Sequence, residues 1–450
     1  MLEFDTLLMS RLLTVLTLGF HIIFATIGVG VPLFISIAEF IGIRKKDVHY
    51  HMLAKRWARG FVITVAVGVV TGTAIGLQLS LIWPNFMRVA GNVIALPLFM
   101  EVFAFFFEAI FLGIYLYTWD RFKPIVHWLL SIPIVIGASF SAIFITTVNS
   151  FMNTPDGFEI NKGELAAVSP IDAMLSASTP TRVFHVLGGS YLTCAALLAS
   201  ITAFVMLFKK SSDYHKKALK LTVTAVFVFS LLTALAGDLS AKFLANHQEE
   251  KLAAAEWLFE TEENADLVLF GWLNEDNDIV GGIRIPGALS FLAHGNFQSS
   301  VVGLEAFPEE ERPPLWIHYM FDLMVTIGMY LIAISFFYLV VSRIKRWDAH
   351  SKWVLWPIFL AGPLAMLAVE FGWIFAEEGR QPWIIRGYMT VEEAVTSSSY
   401  VGEMFFLFLG LYIVLGTLCI VTLRKLFRHN PAELELEKHY TDTGGKNHDL

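Results

Sequence analysis

The sequence predicts an all-α polytopic membrane protein: nine transmembrane helices, the N-terminus outside, the C-terminus cytoplasmic, and one long outer loop between helices 6 and 7. Three observations predict it. Of 450 residues, 56% are hydrophobic and 14% aromatic, and the mean hydropathy is +0.61, a balance that soluble chains seldom reach. Nine apolar runs are long enough to cross a bilayer, near 8–41, 58–82, 94–118, 125–150, 182–208, 217–245, 318–342, 353–376 and 402–425. Lysine and arginine gather on alternate sides of those runs.

The elements follow in order. The opening run has no basic segment before it and exceeds a signal-peptide core, so it is expected to stay in the protein. Segments 42–59, 119–126, 209–220, 343–352 and the tail after 423 carry 6, 2, 5, 4 and 5 Lys and Arg, which makes that side cytoplasmic. Residues 1–245 hold helices 1–6, 246–317 the outer loop, 318–425 helices 7–9, and 426–450 a cytoplasmic tail whose end, 439–450, is expected to fray. The outer loop is expected to carry an amphipathic helix from Glu249 to Glu260 and a short apolar segment, "IPGALSFLAHG", at the interface. The net charge of −8 comes largely from that loop, and no nucleic-acid partner is expected. Cys194 and Cys419 lie in different spans, which argues against a disulfide and against a zinc or iron–sulfur site.

Polar residues inside spans are costly and mark function. Of thirteen histidines only His21 and His185 lie well inside. His185 sits just below the outer surface and Met324 at a similar level, roughly 9 Å down at 1.5 Å per residue. Imidazole and thioether at equal depth are the axial pair of a low-spin haem; packing is the plainer reading of a methionine taken alone. His21 lies mid-span, and Glu377 ends the eighth helix. Either, as sole protein ligand, leaves a haem iron open to oxygen; Glu377 could instead pair with Arg380. Glu101 and Glu108, seven residues apart on one face of helix 3, read as a proton relay or as a buried hydrogen-bonded pair.

These residues stand in familiar strings: "FHIIF" around His21, "GVVTG" at 68–72, "EVFAFFFE" at 101–108, "VNSFMNTP" at 148–155, "KLAAAE" at 251–256 and "GWIFAEEGRQPW" at 372–383. Over nearly all its length the chain resembles subunit I of the cytochrome bd-type quinol oxidases. The resemblance implies a bacterial plasma-membrane enzyme that oxidises quinol (menaquinol or ubiquinol), reduces dioxygen to water, and separates charge without pumping. It implies three cofactors: a low-spin haem b held by His185 and Met324, and a high-spin haem b and a haem d held by His21 and Glu377, in an order left open. Lys251 and Glu256 match the quinol contacts of the outer loop, the Q loop. Glu101 and Glu108 match carboxylates of the proton route and haem pocket. Trp373 matches an aromatic among the haems, and Arg11 and Arg380 match the holders of haem propionates. Glu378 is expected to face solvent or a proton path, and Gly379 to let the chain turn.

Partners so implied are quinol, dioxygen, the lipid bilayer, a second membrane subunit (subunit II) and room for a small single-helix subunit. The chain departs from other members in two places. It lacks their longer Q-loop insertion, which favours a menaquinol-using lineage, and it has Asp322 where they carry an arginine beside the methionine ligand. Two other classes compete. An ion-coupled transporter could use Glu101, Glu108 and Glu370 as coupling carboxylates, but leaves the His185–Met324 match unexplained. A cofactor-free anchor subunit leaves every buried charge unexplained.

Overall fold

Inside a bilayer no water is at hand for backbone groups, so a chain this apolar satisfies them internally, as helices. The structure is a computed structural model describing residues 5–161, 164–209 and 211–442, and among those residues nine helices are long and apolar enough to span. They are α1 (Thr6–Lys45), α2 (Val48–Ile82), α3 (Pro84–Tyr117), α4 (Pro124–Asn153), α5 (Thr179–Phe208), α6 (Asp213–His247), α7 (Ile317–Val341), α8 (Lys352–Glu378) and α9 (Val401–His429). Each coincides with an expected span. α2 and α3 begin ten residues earlier than apolarity alone indicates. The Asp47 carboxylate accepts from the His49 amide at the start of α2, and α3 opens on Pro84, whose missing N–H costs nothing at a first helical position.

Small residues bring the helices close. A Cβ at Gly30 of α1 would stand 2.5 Å from Cys194 Sγ of α5, and one at Gly362 of α8 would stand 2.6 Å from Ser200 Cβ of α5. α5 is the axle: 56% of its most apolar window is buried, against 11% for α9, which lies at the rim. Cys194 and Cys419 are both free and buried, as expected.

The outer loop is folded. Its first helix is Glu249–Glu256, shorter than the expected 249–260, because Trp257 turns into the left-handed region with φ 51°. There its indole N–H donates to the Leu315 carbonyl at 2.8 Å and its ring stacks on His318. Three nested antiparallel pairs follow, which an all-helical reading did not anticipate: Glu262–Glu263 with Ser300–Val301, Leu267–Leu269 with Ile283–Ile285, and Trp272–Leu273 with Ile279–Val280. The apolar segment forms a second short helix, Ala288–His294. Leu252, Leu258, Leu289, Ile317 and Phe375 pack the loop onto the outer ends of α7 and α8. At the opposite end a helix Ala432–Asp442 docks on α2, where Glu435 pairs with Arg56 and Arg59. Residues 439–442, expected to fray, are therefore helical, and 443–450 lie outside the described residues.

Candidate functional site

His21 meets α2. Thr71 Oγ1 lies 2.8 Å from His21 Nδ1 and within hydrogen-bonding distance of its own helix carbonyls, Val67 and Gly68. In the arrangement where the hydroxyl donates to those carbonyls and accepts from Nδ1–H, Nε2 keeps a lone pair suited to a metal. Gly72 flanks this side of the ring, and a Cβ there would stand 3.3 Å from His21 Cε1.

His185 and Met324 stand near the starts of their helices. They stand six and seven residues into α5 and α7, about 9 Å and about 10 Å at 1.5 Å per residue. Each lies beside a glycine: a Cβ at Gly237 of α6 would stand 3.6 Å from His185 Cε1, and one at Gly372 of α8 would stand 2.7 Å from Met324 Sδ. The Thr233 carbonyl is near His185 Nδ1, yet the nitrogen has no hydrogen bond of good geometry among the described residues.

Glu377 ends α8 among cations. Arg380 pairs with it, Asn149 Nδ2 donates to its other oxygen, and Arg182 donates to Asn149 Oδ1 at 2.8 Å. Lys251 reaches in from the Q loop, donating to the Ala376 carbonyl at 2.9 Å with its ammonium over the Phe375 ring. Burial, and then Arg182, hold that ammonium well below the usual lysine range. Gly379 has an ordinary φ of −70°, so the chain does not need its freedom to turn there. What needs the glycine is Lys251, since a Cβ at 379 would stand 2.5 Å from Lys251 Cε. Glu378 does not simply face solvent: it accepts from Arg11 at 3.1 Å. Arg11 and Arg380, expected at propionates, thus have carboxylate partners as well, while Arg380 Nε is buried with no partner among the described residues. Trp373 lies half-buried one turn before Glu377.

Glu101 and Glu108 both face α4. Ser141 donates to Glu101 at 2.9 Å, and a Cβ at Gly137 would stand 3.0 Å from Glu108 Cβ. Glu108 is buried, and its Oε1 has no partner among the described residues. Lys251 and Glu256 diverge. The Glu256 carboxyl turns toward Asp322 of α7, and burial, with Asp322 adding to it, pushes it up to about 8. Its Oε2 is also buried without a partner among the described residues.

Sequence reading passed over Asn149, Arg182, His318 and the contacts of Asp322. Asp322 accepts from the Phe270 amide at 2.5 Å and lies 3.3 Å from His318 Nε2. The signals were present: an asparagine within "VNSFMNTP", an arginine three residues into a span, and a His–Asp pair at i, i+4 on one helix face.

The donor set fits haem. Among the described residues no three His, Cys, Asp or Glu side chains converge to hold a metal ion, so any iron here draws one or two protein ligands and needs a macrocycle for the rest. Arg182 and Arg380 lie around the carboxylate of Glu377, an excess of buried positive charge that anionic propionates would balance. His185 Nδ1 and Arg380 Nε, buried without a partner among the described residues, are the kind of polar atoms that such a group satisfies.

Comparison with known proteins agrees. Residues 9–431 match the family described as cytochrome bd terminal oxidase subunit I. A Bacillus subtilis (strain 168) protein provisionally named cytochrome bd menaquinol oxidase subunit I is 42% identical, covering 96% of this chain and 99% of its own length. The cytochrome bd ubiquinol oxidase subunit 1 of the same organism is 32% identical, covering 92% of each chain. The solved structure of bd oxidase from Geobacillus thermodenitrificans superposes with a TM-score of 0.92 at 58% identity, covering 96% of this chain and 100% of that one. With nine apolar helices and bacterial relatives of this kind, the protein is a multi-pass bacterial membrane protein. The chain belongs to the cytochrome bd terminal oxidase subunit I family.

Proposed function

We propose that this chain is the catalytic subunit of a terminal respiratory oxidase that takes electrons and protons from quinol at the outer face and reduces dioxygen to water at a di-haem site. Haem, when bound, supplies one-electron carriers and an oxygen-binding iron. His185 and Met324 would hold the low-spin haem b, and His21 and Glu377 the high-spin haem b and the haem d. Lys251 and Glu256 orient the quinol, and Glu256 receives a proton from it. Arg11 and Arg380 anchor propionates, and Trp373 fills space among the haems. Glu108 and Glu101 carry protons inward from the cytoplasmic side, so release and uptake face opposite sides and charge separates without pumping. The relatives' names divide between menaquinol and ubiquinol, and either is a candidate donor. The exposed aromatic face of α3, with Phe99, Phe103 and Phe106, supports a second membrane subunit seated there.

The observation that carries this reading is the meeting of Q loop and α8: Lys251 is buried against the 375–380 segment that ends in Glu377. It puts a quinol-facing loop and a candidate iron ligand within one side chain of each other. A reduced-minus-oxidised absorption spectrum of the purified complex tests it, with Met324→Leu as the informative variant. Loss of the low-spin signal with the other haems retained is expected. An unchanged low-spin spectrum in the variant would overturn the ligand assignment.

A further inference from the structure

On the side that the basic loops assign to the cytoplasm, a polar cluster is buried among α1, α3 and α4. Glu39 is fully buried near the end of α1, and His127 is 2% exposed at the start of α4. Tyr115 of α3 donates its hydroxyl to Glu39 Oε2 at 2.6 Å. His127 Nδ1 lies 2.5 Å from Glu39 Oε1, and His127 Nε2 lies 2.9 Å from the Tyr115 carbonyl. None of the residues assigned above lies in this cluster.

Hydrogen-bond accounting fixes its proton content. A carbonyl can only accept, so Nε2 must carry a hydrogen. The remaining contact joins a ring nitrogen to a carboxylate oxygen, and two acceptors at that distance need a proton between them. The pair is therefore imidazolium with carboxylate or imidazole with carboxylic acid; in both forms it holds one exchangeable proton. The state without that proton, a neutral Nε2–H imidazole facing an ionised carboxylate, would leave lone pairs opposed in a dry site.

Its location gives that proton a use. Tyr115 follows Glu108 by seven residues, as Glu108 follows Glu101, so all three stand on one face of α3. On the stretch between Glu108 and the cluster lies a small void of about 10 Å³, lined mostly by apolar side chains such as Ile35 of α1, Phe61 of α2, Leu112 of α3 and Ile134 of α4, with Ser131 and Tyr115 at its edge. Toward the cytoplasm the charged and titratable neighbours are His51 and Lys55 of α2, Asp120 of the α3–α4 connection, and His439 of the tail helix. Trp119 separates His51 from His127, its ring against both and its indole N–H donating to His51 Nε2 at 3.1 Å. We propose that Glu39 and His127 form a proton-loading station that holds one proton at the cytoplasmic end of α3 and refills Glu108. This rests on the reading that Glu108 and Glu101 take protons from that side.

Glu39→Gln separates a proton role from a packing role. The amide N–H can donate to His127 Nδ1 and the amide oxygen can accept from Tyr115, so every hydrogen bond is kept and only the exchangeable proton is lost. The assembled oxidase in proteoliposomes, given a quinol and oxygen pulse, reports proton uptake from the side of the basic loops beside its haem spectrum. Uptake slowed about tenfold or more with an unchanged spectrum is expected. Full-rate uptake in Glu39→Gln, with uptake slowed in Glu108→Leu, overturns the station and leaves the function standing. Full-rate uptake in both overturns the inward route itself. If Glu39→Gln fails to assemble, His127→Gln, which removes the ring but can donate to Glu39, is read by the same outcomes.

Discussion

At Glu256 a single environment sets a pH response. The carboxyl is buried, lacks a partner on Oε2 among the described residues, and is pushed up to about 8 by burial and then by Asp322. Near pH 7 it is mostly protonated, and in the proposed role it would accept a quinol proton only when ionised. As pH rises through about 8 the ionised fraction grows, so quinol oxidation should climb over that range. Glu256→Gln, which cannot ionise, should lose the climb and oxidise quinol about tenfold or more slowly. Steady-state rates from pH 6 to 9 with quinol, compared with an artificial electron donor, would check it, and a rising limb that survives in the variant would show that another group titrates. That Glu256 is a candidate was legible from "KLAAAE". That Asp322 of a distant helix faces it was not, because only the folded loop brings 256 and 322 together.

The Q loop and the end of α8 work as one joint. Lys251 passes where residue 379 has no side chain, and Trp257 breaks the loop helix to stack on His318. Gly379→Val would drive a branched side chain into the Lys251 stem and lift the helix Glu249–Glu256 off α8. The expected result is a quinol KM raised about tenfold, as when about 1.4 kcal/mol of positioning is lost, with haem spectra retained. A normal KM would mean that Lys251 does not place the quinol. The nine spans were legible because twenty apolar residues have few alternatives in a bilayer. The hairpin at 262–301 was not, because its rungs are two or three residues long and pair across as many as 38 positions of sequence. Glycines 72, 237, 372 and 379 were equally opaque: a glycine's role depends on which side chain lies opposite, and sequence does not list opposites. Glu39 and His127 sat at span ends beside basic loops, where a charged residue is ordinarily solvated.

For the molecule as a whole the question is which side each proton crosses. The 246–317 loop packs on one end of α7 and α8, while the Glu39 cluster lies at the basic-loop end of α1, α3 and α4. Between them Glu101 and Glu108 stand on one face of α3, Glu101 tied to Ser141 and Glu108 buried one helical heptad further in. A route that enters from the inside must load Glu108 before Glu101, whereas a route from the outer face would reach Glu101 first. Glu108→Leu keeps the volume and removes the carrier, so it should slow uptake from the basic-loop side about tenfold or more. A reductant added from outside should still reduce the haems, since Glu108 is not among the proposed iron ligands. Glu101→Leu should disturb haem binding as well, because its carboxylate lies nearer the outer half where His21, His185 and Glu377 are arrayed. Vesicles of known orientation, with a pH dye trapped inside, distinguish these cases. Undiminished uptake in Glu108→Leu would make Glu108 a buried structural carboxylate. The proposed charge separation would then need another point of proton entry.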